Sequence, residues 1–290
     1  MCLRYMEVIV VRVGLIVGPG FGGMSFAPLS VFEAANLALG ERRYEVRLLS
    51  EAGSPTHISF GAVIATEPLG CTQFDTIMVT GKSRLSDTGA GLDVVPATPG
   101  VIAFLRHAVG STRRIASICI GAFTLAETGL LDGRRATTHW LLARELQSRF
   151  PKIKVEVDRI FIADGPIWTS AGMTAGIDLA LGLVERDIGA EAARLVGKML
   201  VVHHRRAGGQ SQHSALLELD AKSDRVQNAL IFARRNLHEP LSVERLADAA
   251  CLSPRQFSRV FRAETGQSPA KAIGRPMYSR RQERLSDRGS

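Results

Sequence analysis

The chain has 290 residues, enough for two domains, and its 46% hydrophobic and 22% charged residues are typical of a globular protein. No apolar run reaches the ~18 residues of a membrane span, the start lacks a signal-peptide cleavage pattern, and the four cysteines form no C-x-x-C pair. These features argue against membrane insertion, secretion and a disulfide scaffold, and they predict a cytoplasmic protein.

The net charge of +8 is concentrated near the C-terminus. Residues 222–290 contain 14 Lys and Arg against 7 Asp and Glu, which leaves 22 against 21 for residues 1–221. The last part of the chain is therefore a separate basic module. Such a module is either a solvated, arginine-rich tail or a domain that binds nucleic acid.

Strands and helices alternate along the first two thirds of the chain. Strands are predicted from apolar runs at residues 8–17, 44–49, 63–66, 75–80 and 115–119. Helices are predicted from apolar spacing at residues 28–39, 99–109, 138–150, 175–188 and 190–202. Residues 153–157 and 159–162 predict an edge ribbon. The alternation predicts an α/β fold, a flavodoxin-like, mostly parallel sheet with helices on both faces.

The loop after the first strand, from Gly18 to Gly23, matches G-x-G-x-x-G. A dinucleotide site would need an acidic residue about 20 positions further on, at the end of the second strand. Glu51 lies too far along for that role. Pro19 also stiffens a loop whose N–H groups would have to meet phosphate, so we expect no nicotinamide or flavin cofactor.

Residues 115–140 contain a second turn of interest. An Ile-rich run ends at Cys119, and Gly121 opens an apolar-periodic helix, so the pattern is strand, sharp turn, helix. Such a turn places one side chain at the carboxyl end of a parallel sheet, where open α/β folds bind their ligands. Cys119 is that side chain, and it is a candidate nucleophile, pocket residue or small core residue.

Residues 208–214 are polar and glycine-rich and predict a linker, which we extend to residues 208–221. Nearby histidines invite a metal-site interpretation, but no Cys, Asp or Glu accompanies them at the spacing of a tetrahedral site. We therefore expect no metal at His203, His204 and His213.

The basic module contains two short predicted helices joined by a tight turn. Residues 241–250 form the first, with a Ser cap, and the second begins with Ser253 as cap, Pro254 at the first position and Gln256 completing a capping box. On the second helix the arginines share one side and the apolar residues the other: Arg255, Arg259 and Arg262 against Phe257, Val260 and Phe261.

This arrangement is typical of a helix-turn-helix that binds DNA. Arginine reads guanine with two hydrogen bonds, glutamine reads adenine, and a free helix start holds phosphate. The predicted DNA-binding residues are Ser253, Arg255, Gln256, Ser258, Arg259 and Arg262. The alternative is an amphipathic helix with a solvated basic face.

Both parts of the chain resemble one family, up to about residue 273. The motifs are residues 119–123 and 136–140 around the elbow, residues 169–179, the Gly-Gly-Gln linker, and Leu252-Ser253-Pro254-Arg255 with the residues that follow. They are similar to the GlxA-like transcriptional regulators, in which a PfpI/ThiJ-type domain of the class I glutamine-amidotransferase-like superfamily precedes an AraC-type DNA-binding domain. The resemblance implies a homodimeric regulator with promoter DNA and a small-molecule effector as partners.

The chain departs from the superfamily's catalytic members at the elbow. Those members combine the cysteine with a histidine, often the next residue, and with an acid from the first loop. Here residue 120 is Ile, residues 18–29 contain no Asp or Glu, and the first carboxylate after that strand is Glu33. The resemblance to some relatives implies that His139 lies near the sulfur of Cys119 as its polar neighbour.

We therefore expect a non-catalytic pocket lined by Cys119, Ile120, Gly121 and His139. The alternative is a cysteine-dependent hydrolase or hydratase that uses Cys119 with His139, because a thiol needs a base to become a nucleophile.

The expected domains are a sensor and dimerisation domain at residues 1–207, a linker at 208–221 and an AraC-type domain at 222–290. AraC-type domains carry two helix-turn-helix units, but Gly274 and Pro276 would interrupt the helix that joins them. An atypical tail is thus expected from residue 274, as after a truncation or frameshift. One further possibility is a regulator that no longer binds DNA and acts only by dimerising.

Overall fold

The computed structural model describes residues 10–53, 55–70, 72–85, 92–202, 223–236 and 241–270. The chain forms two compact units, Met1–Gln212 and His213–Ser290, and each is described separately. The predicted linker and the tail from residue 274 lie outside the described residues, so their bounds stay predictions. Within the described ranges, no helix is both long and apolar enough to cross a bilayer.

A seven-stranded sheet forms the centre of the first unit. Its strands are, in chain order, β1 (Val11–Ile16), β2 (Tyr44–Ser50), β3 (Glu67–Pro68), β4 (Thr76–Thr80), β5 (Arg114–Ile118), β6 (Phe161–Asp164) and β7 (Ile167–Ser170). The spatial order is β6-β7-β5-β4-β1-β2-β3, and all neighbours are parallel except β6 with β7. The predicted mostly parallel sheet is confirmed.

The order of the strands reverses between β1 and β4. From β1 the chain moves outward through β2 to β3, then crosses back to β4 and continues towards the opposite edge. The loops after β1 and β4 therefore leave the sheet in diverging directions. In open α/β sheets this reversal opens a crevice at the carboxyl ends of the strands, where ligands bind.

Helices cover both faces of the sheet. They are α1 (Ala27–Leu39), α2 (Pro99–Ala108), α3 (Gly121–Thr128), α4 (Trp140–Arg149), α5 (Met173–Ile188) and α6 (Ala190–Met199). Successive residues of a strand point to opposite faces, so Leu15 packs in the core under α1, α5 and α6 while Ile16 packs in the core under α2, α3 and α4. Two apolar layers, one on each face, hold the sheet.

The short elements differ most from the sequence prediction. Residues 153–157 were expected in the edge ribbon, but Lys154–Val155 pairs with Arg135–Ala136 in a separate small sheet. The observed edge ribbon is β6 with β7, joined at Gly165, whose φ is +62°. Val63–Ile64 pairs with Thr56–His57 outside the main sheet. Two-residue strands carry no periodicity, which is why the apolar pattern did not separate them.

A buried ion pair joins β5 to α5 near the amino ends of the parallel strands. Asp187 accepts hydrogen bonds of 2.8 and 2.7 Å from the two terminal nitrogens of Arg114, and its side chain is only 3% exposed. Arg114 also donates to the hydroxyl of Thr76, and Tyr44 donates to Asp187 at 3.2 Å. Because burial and the neighbouring carboxylate disfavour its anion, the pKa of Tyr44 is raised.

The second unit contains three helices among the residues that the structure describes: α7 (Asp224–Arg235), α8 (Val243–Ala249) and α9 (Pro254–Thr265). Their shared core includes Val226, Leu230, Leu246, Phe257 and Phe261. The backbone N–H of Ser223 also donates to a carboxylate oxygen of Glu264, which ties the start of α7 to α9. Helices α8 and α9 are the two predicted from the sequence.

Candidate functional site

The elbow after β5 has a strained backbone. Cys119 adopts a φ of +54°, which is uncommon for a residue with a side chain. Two hydrogen bonds hold this conformation. The Cys119 N–H donates to the Ser170 carbonyl at 3.1 Å, and the Thr138 hydroxyl donates to the Cys119 carbonyl at 2.8 Å. Such conformations persist only where surrounding contacts fix them, and they concentrate at functional sites.

Two glycines allow the elbow to lie directly against the end of β4. A Cβ atom on Gly121 would lie 2.2 Å from the Val79 carbonyl oxygen, and one on Gly81 would lie 2.7 Å from the Ile120 carbonyl oxygen. Neither neighbour is a flexible side chain, so only glycine fits at both positions. The elbow is thus fixed at the carboxyl edge of the sheet, as the sequence predicted.

Burial disfavours the thiolate form of Cys119. Burial raises its pKa to about 11, and the adjacent Ile120 N–H offsets this only in part. The thiol is therefore protonated near neutral pH, whereas a nucleophilic cysteine needs a thiolate. The electrostatics of the site favour a pocket residue over a nucleophile.

His139 lies at the start of α4 and acts as its N-cap. Its Nδ1 accepts a hydrogen bond from the Leu141 N–H at 3.3 Å, and its ring stacks on Trp140 with centroids 5.8 Å apart. A Cβ atom on Gly172 would lie 3.3 Å from His139 Cδ2. The imidazole therefore lies beside the loop that follows β7, the strand next to the elbow strand in the sheet.

The structure thus places Cys119, Ile120, Gly121 and His139 along one edge of the sheet, after β5 and beside β7. Their role as a ligand pocket stays a prediction. One neighbour was missed by the sequence analysis: Lys82, two residues after β4. A Cβ atom on Gly20 would lie 3.4 Å from Lys82 Nζ. Its position directly after a buried strand was the available signal.

The start of α9 has the capping predicted for it. The Ser253 hydroxyl accepts from the Gln256 N–H at 3.3 Å, the Gln256 side chain accepts from the Ser253 N–H at 3.2 Å, and Pro254 is the first helical residue. The preceding turn contains Cys251 at a φ of +52°. The turn between α8 and α9 is therefore tight and locally specified.

Helix α9 has a buried apolar side and an exposed basic side. Phe257 and Phe261 are fully buried against α7 and α8, and the exposed basic residues are Arg255, Arg259 and Arg262. This separation matches the amphipathic pattern read from the sequence.

An open cleft of about 530 Å³ lies on the exposed side of α9. Its lining consists of Ser258, Arg259, Arg262, Ala263 and Ser268. The cleft brings together three of the predicted DNA-binding residues, while Ser253, Arg255 and Gln256 lie at the helix start. Ala263 and Ser268 were not among the predicted DNA-binding residues. The assignment of these residues to DNA stays a prediction.

Metal ligands do not cluster in the described part of the chain, where no group of three or more His, Cys, Asp or Glu side chains could hold an ion. The three histidines considered earlier, His203, His204 and His213, lie outside the described residues. Cys119 and Cys251 are free thiols.

Comparisons with known families match both units. The DJ-1/PfpI family model matches residues 25–186. The model of bacterial regulatory helix-turn-helix proteins of the AraC family matches residues 234–273, which include α8 and α9.

Three characterised relatives come from Pseudomonas. The HTH-type transcriptional regulator CdhR of P. aeruginosa is 32% identical over 262 residues, which cover 87% of this chain and 73% of CdhR. The regulator ArgR of P. aeruginosa is 33% identical over 62% of this chain, and the match spans only 55% of ArgR. Isonitrile hydratase of P. putida is 36% identical over 43% of this chain and 51% of the hydratase.

A solved structure has the same fold. The crystal structure of an AraC family transcriptional regulator from P. putida matches with a TM-score of 0.56 and 23% identity, over 66% of this chain and 99% of that one. Together with the parallel sheet and the elbow, these matches show that the chain belongs to the DJ-1/PfpI family and carries a helix-turn-helix region of the AraC family.

Proposed function

We propose that the protein is a cytoplasmic transcriptional regulator that binds DNA through α9 and senses a small molecule at the Cys119 elbow. The observation that carries the proposal is the exposed basic side of α9. Its arginines are held by a helix whose other side is locked into a core by Phe257 and Phe261. A recognition helix needs this combination, because its side chains must reach base edges and phosphates from a fixed frame.

The chemistry of the elbow supports sensing over catalysis. Cys119 has a raised pKa, and the loop from Gly18 to Phe26 supplies no carboxylate to orient a base. A protonated thiol can contact a ligand as a small, uncharged side chain. The elbow around it is held in one conformation by the close packing of Gly81 and Gly121. The relatives named as transcriptional regulators support a regulatory role for the chain.

Unbiased selection of DNA sequences by the purified protein tests the proposal. We expect enrichment of one motif, and no enrichment with the double variant Arg259→Ala and Arg262→Ala. The single variant Arg225→Ala, at a residue that is exposed on α7 outside the α9 surface, controls for the loss of a surface arginine and should recover the same motif. If the parent protein enriches no motif, the proposal that this chain binds DNA sequence-specifically is refuted.

We further propose that the α/β unit pairs two chains. A dimer would place two α9 helices on half-sites separated by about 10 base pairs or a multiple of that distance, and the second contact would add avidity. The selected motif should then contain two half-sites, and the protein should sediment as a dimer. A single half-site bound by a monomer would contradict pairing.

An enzymatic role is the competing function, and the relative named isonitrile hydratase is the observation that favours it. It requires a Cys119 thiolate assisted by His139. Turnover of an isonitrile by the purified protein that disappears in Cys119→Ser would reverse our preference. We expect no turnover above that of the variant.

A further inference from the structure

The crevice where the strand order reverses lies between two loops that differ in charge. The loop after β1 contains four glycines between Gly18 and Gly23 and no charged side chain. The loop after β4 contains Gly81 and Lys82. A Cβ atom on Gly20 would lie 3.3 Å from Cε and 3.4 Å from Nζ of Lys82, so the end of the lysine lies against the glycine backbone of the first loop.

The same loop also reaches the elbow. A Cβ atom on Gly81 would lie 2.7 Å from the main-chain carbonyl of Ile120 and 2.8 Å from its Cγ2. Lys82 is the next residue in the chain. Its ammonium group therefore lies against the first loop, beyond the ends of β1 and β4, and the residue before it, Gly81, packs on Ile120 of the elbow.

The charge of Lys82 is not neutralised by any described residue. Lys82 begins a short antiparallel ribbon, Lys82–Leu85 with Leu92–Val95, and Asp93 is the described carboxylate of that ribbon. Asp93 is opposite Arg84 and pairs with it at 3.7 Å. Among described carboxylates, none lies within ion-pair distance of Lys82. A cation in a cleft without a counter-charge attracts anionic ligands more strongly than one on an open surface.

Arg84 provides an internal comparison. It lies two residues from Lys82 on the same face of the ribbon, since side chains alternate along a strand. It is also exposed, but it has a carboxylate partner, and Lys82 instead lies against the first loop. The two exposed side chains therefore differ in their contacts, since Lys82 lies against the first loop and Arg84 has a carboxylate partner.

We propose that Lys82 binds the carboxylate of a small organic acid in the crevice between the first loop and the Cys119 elbow. The description of that acid as an effector rests on the proposed sensing function, whereas its binding does not. An ammonium group binds a carboxylate as a point charge with up to three hydrogen-bond donors. The neighbouring residues, Ile120 and the loop from Gly18 to Gly23, carry no charge that would pair with a second charged group of the acid.

The test uses the full-length protein without DNA and a panel of small carboxylates paired with their primary amides, from acetate and acetamide to succinate and succinamide. Binding is measured by titration calorimetry. We expect at least one acid to bind about tenfold or more tightly than its amide, the ratio that one charge-assisted contact provides. An amide that binds as well as its acid throughout the panel, or no binding by any acid, would overturn the proposal.

Three variants locate the contact. Lys82→Gln should weaken binding of the acid at least about tenfold and remove its advantage over the amide, Lys82→Arg should retain most of that advantage, and Arg84→Gln should match the parent protein. The acid should also slow alkylation of Cys119, followed by peptide mass spectrometry, in the parent but not in Lys82→Gln.

Failure of this proposal is distinguishable from failure of the proposed function. Unchanged acid binding in Lys82→Gln would overturn the Lys82 site while leaving DNA selection by α9 unaffected. Loss of DNA selection with intact, Lys82-dependent acid binding would overturn the regulator and retain the site.

Discussion

The hydroxyl of Thr138 donates a 2.8 Å hydrogen bond to the main-chain carbonyl of Cys119. Thr138 is fully buried, and it directly precedes His139, the N-cap of α4. The Thr138 side chain therefore joins the strained elbow to the segment that carries His139, another candidate pocket residue. The positions of the Cys119 elbow and of His139 are therefore linked, and a substitution at Thr138 should affect both positions.

Replacing Thr138 by Val keeps the side-chain volume close to constant but removes the donor. We expect the first unit to lose about 1 kcal/mol of unfolding free energy, because the partly buried Cys119 carbonyl loses its shorter hydrogen bond and keeps the one from the Ala122 N–H at 3.4 Å. Both tryptophans, Trp140 and Trp168, lie in that unit, so urea unfolding followed by tryptophan fluorescence reports on it alone. Thr112→Val is the control, since the Thr112 hydroxyl bonds to no described residue. Equal stability of the two variants would contradict the role of Thr138.

Replacing Asp187 by Ala should be far more damaging than removing an exposed acid. Asp187 and Arg114 are 3% and 7% exposed, so the change would leave a buried guanidinium without its partner. The expected loss is about 3–5 kcal/mol. Asp132→Ala breaks an exposed pair with Lys152 and should cost less than about 1 kcal/mol. A loss for Asp187→Ala that is no larger than about 1 kcal/mol in the same unfolding assay would contradict the expected cost of a buried, unpaired guanidinium.

Alkylation of Cys119 should be slow at pH 7 and should accelerate with pH up to about 11, the raised pKa of its thiol. The protonated thiol favours the folded state, so its contribution to stability is complete below the ordinary thiol pKa and is lost as the pH rises towards about 11. Peptide mass spectrometry separates Cys119 from exposed Cys251, which should react faster at pH 7. A Cys119 rate that already reaches its plateau below pH 8 would indicate an activated thiol instead.

Changing Ser253 to Asp separates helix capping from DNA binding. Asp is as good an N-cap as Ser, so the protection of α9 amides from hydrogen exchange should stay within a few tenths of a kcal/mol of the parent. The added negative charge should weaken DNA binding if the start of α9 faces phosphate. Ser253→Ala removes the cap, so α9 should lose about 1 kcal/mol of stability against hydrogen exchange. Undiminished DNA binding by Ser253→Asp would place the phosphate away from this helix start.

The parts of the molecule that follow from local sequence were predictable. The capping box of α9 depends on Ser253, Pro254 and Gln256, which are close neighbours in the chain, and its two sides follow from helical periodicity. The elbow was predictable because an apolar strand runs directly into Gly121. In each case the physical cause lies within one or two turns of chain.

The parts that depend on distant partners were not predictable. The bond between Cys119 and Ser170 joins residues 51 positions apart, and Arg114 finds Asp187 across 73 positions. Lys82 lies against Gly20 only because β4 neighbours β1 in the sheet. A single sequence gives no such register, so pocket neighbours outside the family motifs appear only in the fold.

The most direct test of the regulator is the salt dependence of its binding to the selected DNA, compared between Arg259→Ala, Arg262→Ala and the Arg225→Ala control. Anisotropy titrations between about 50 and 200 mM salt give the slope of log affinity against log salt. A lost phosphate contact should reduce the slope by about 0.9, and a lost base contact should cost about 1–3 kcal/mol on the selected sequence. We predict one of these effects for Arg259 and for Arg262, and neither for Arg225. Unchanged affinity and slope in both α9 variants would contradict the account.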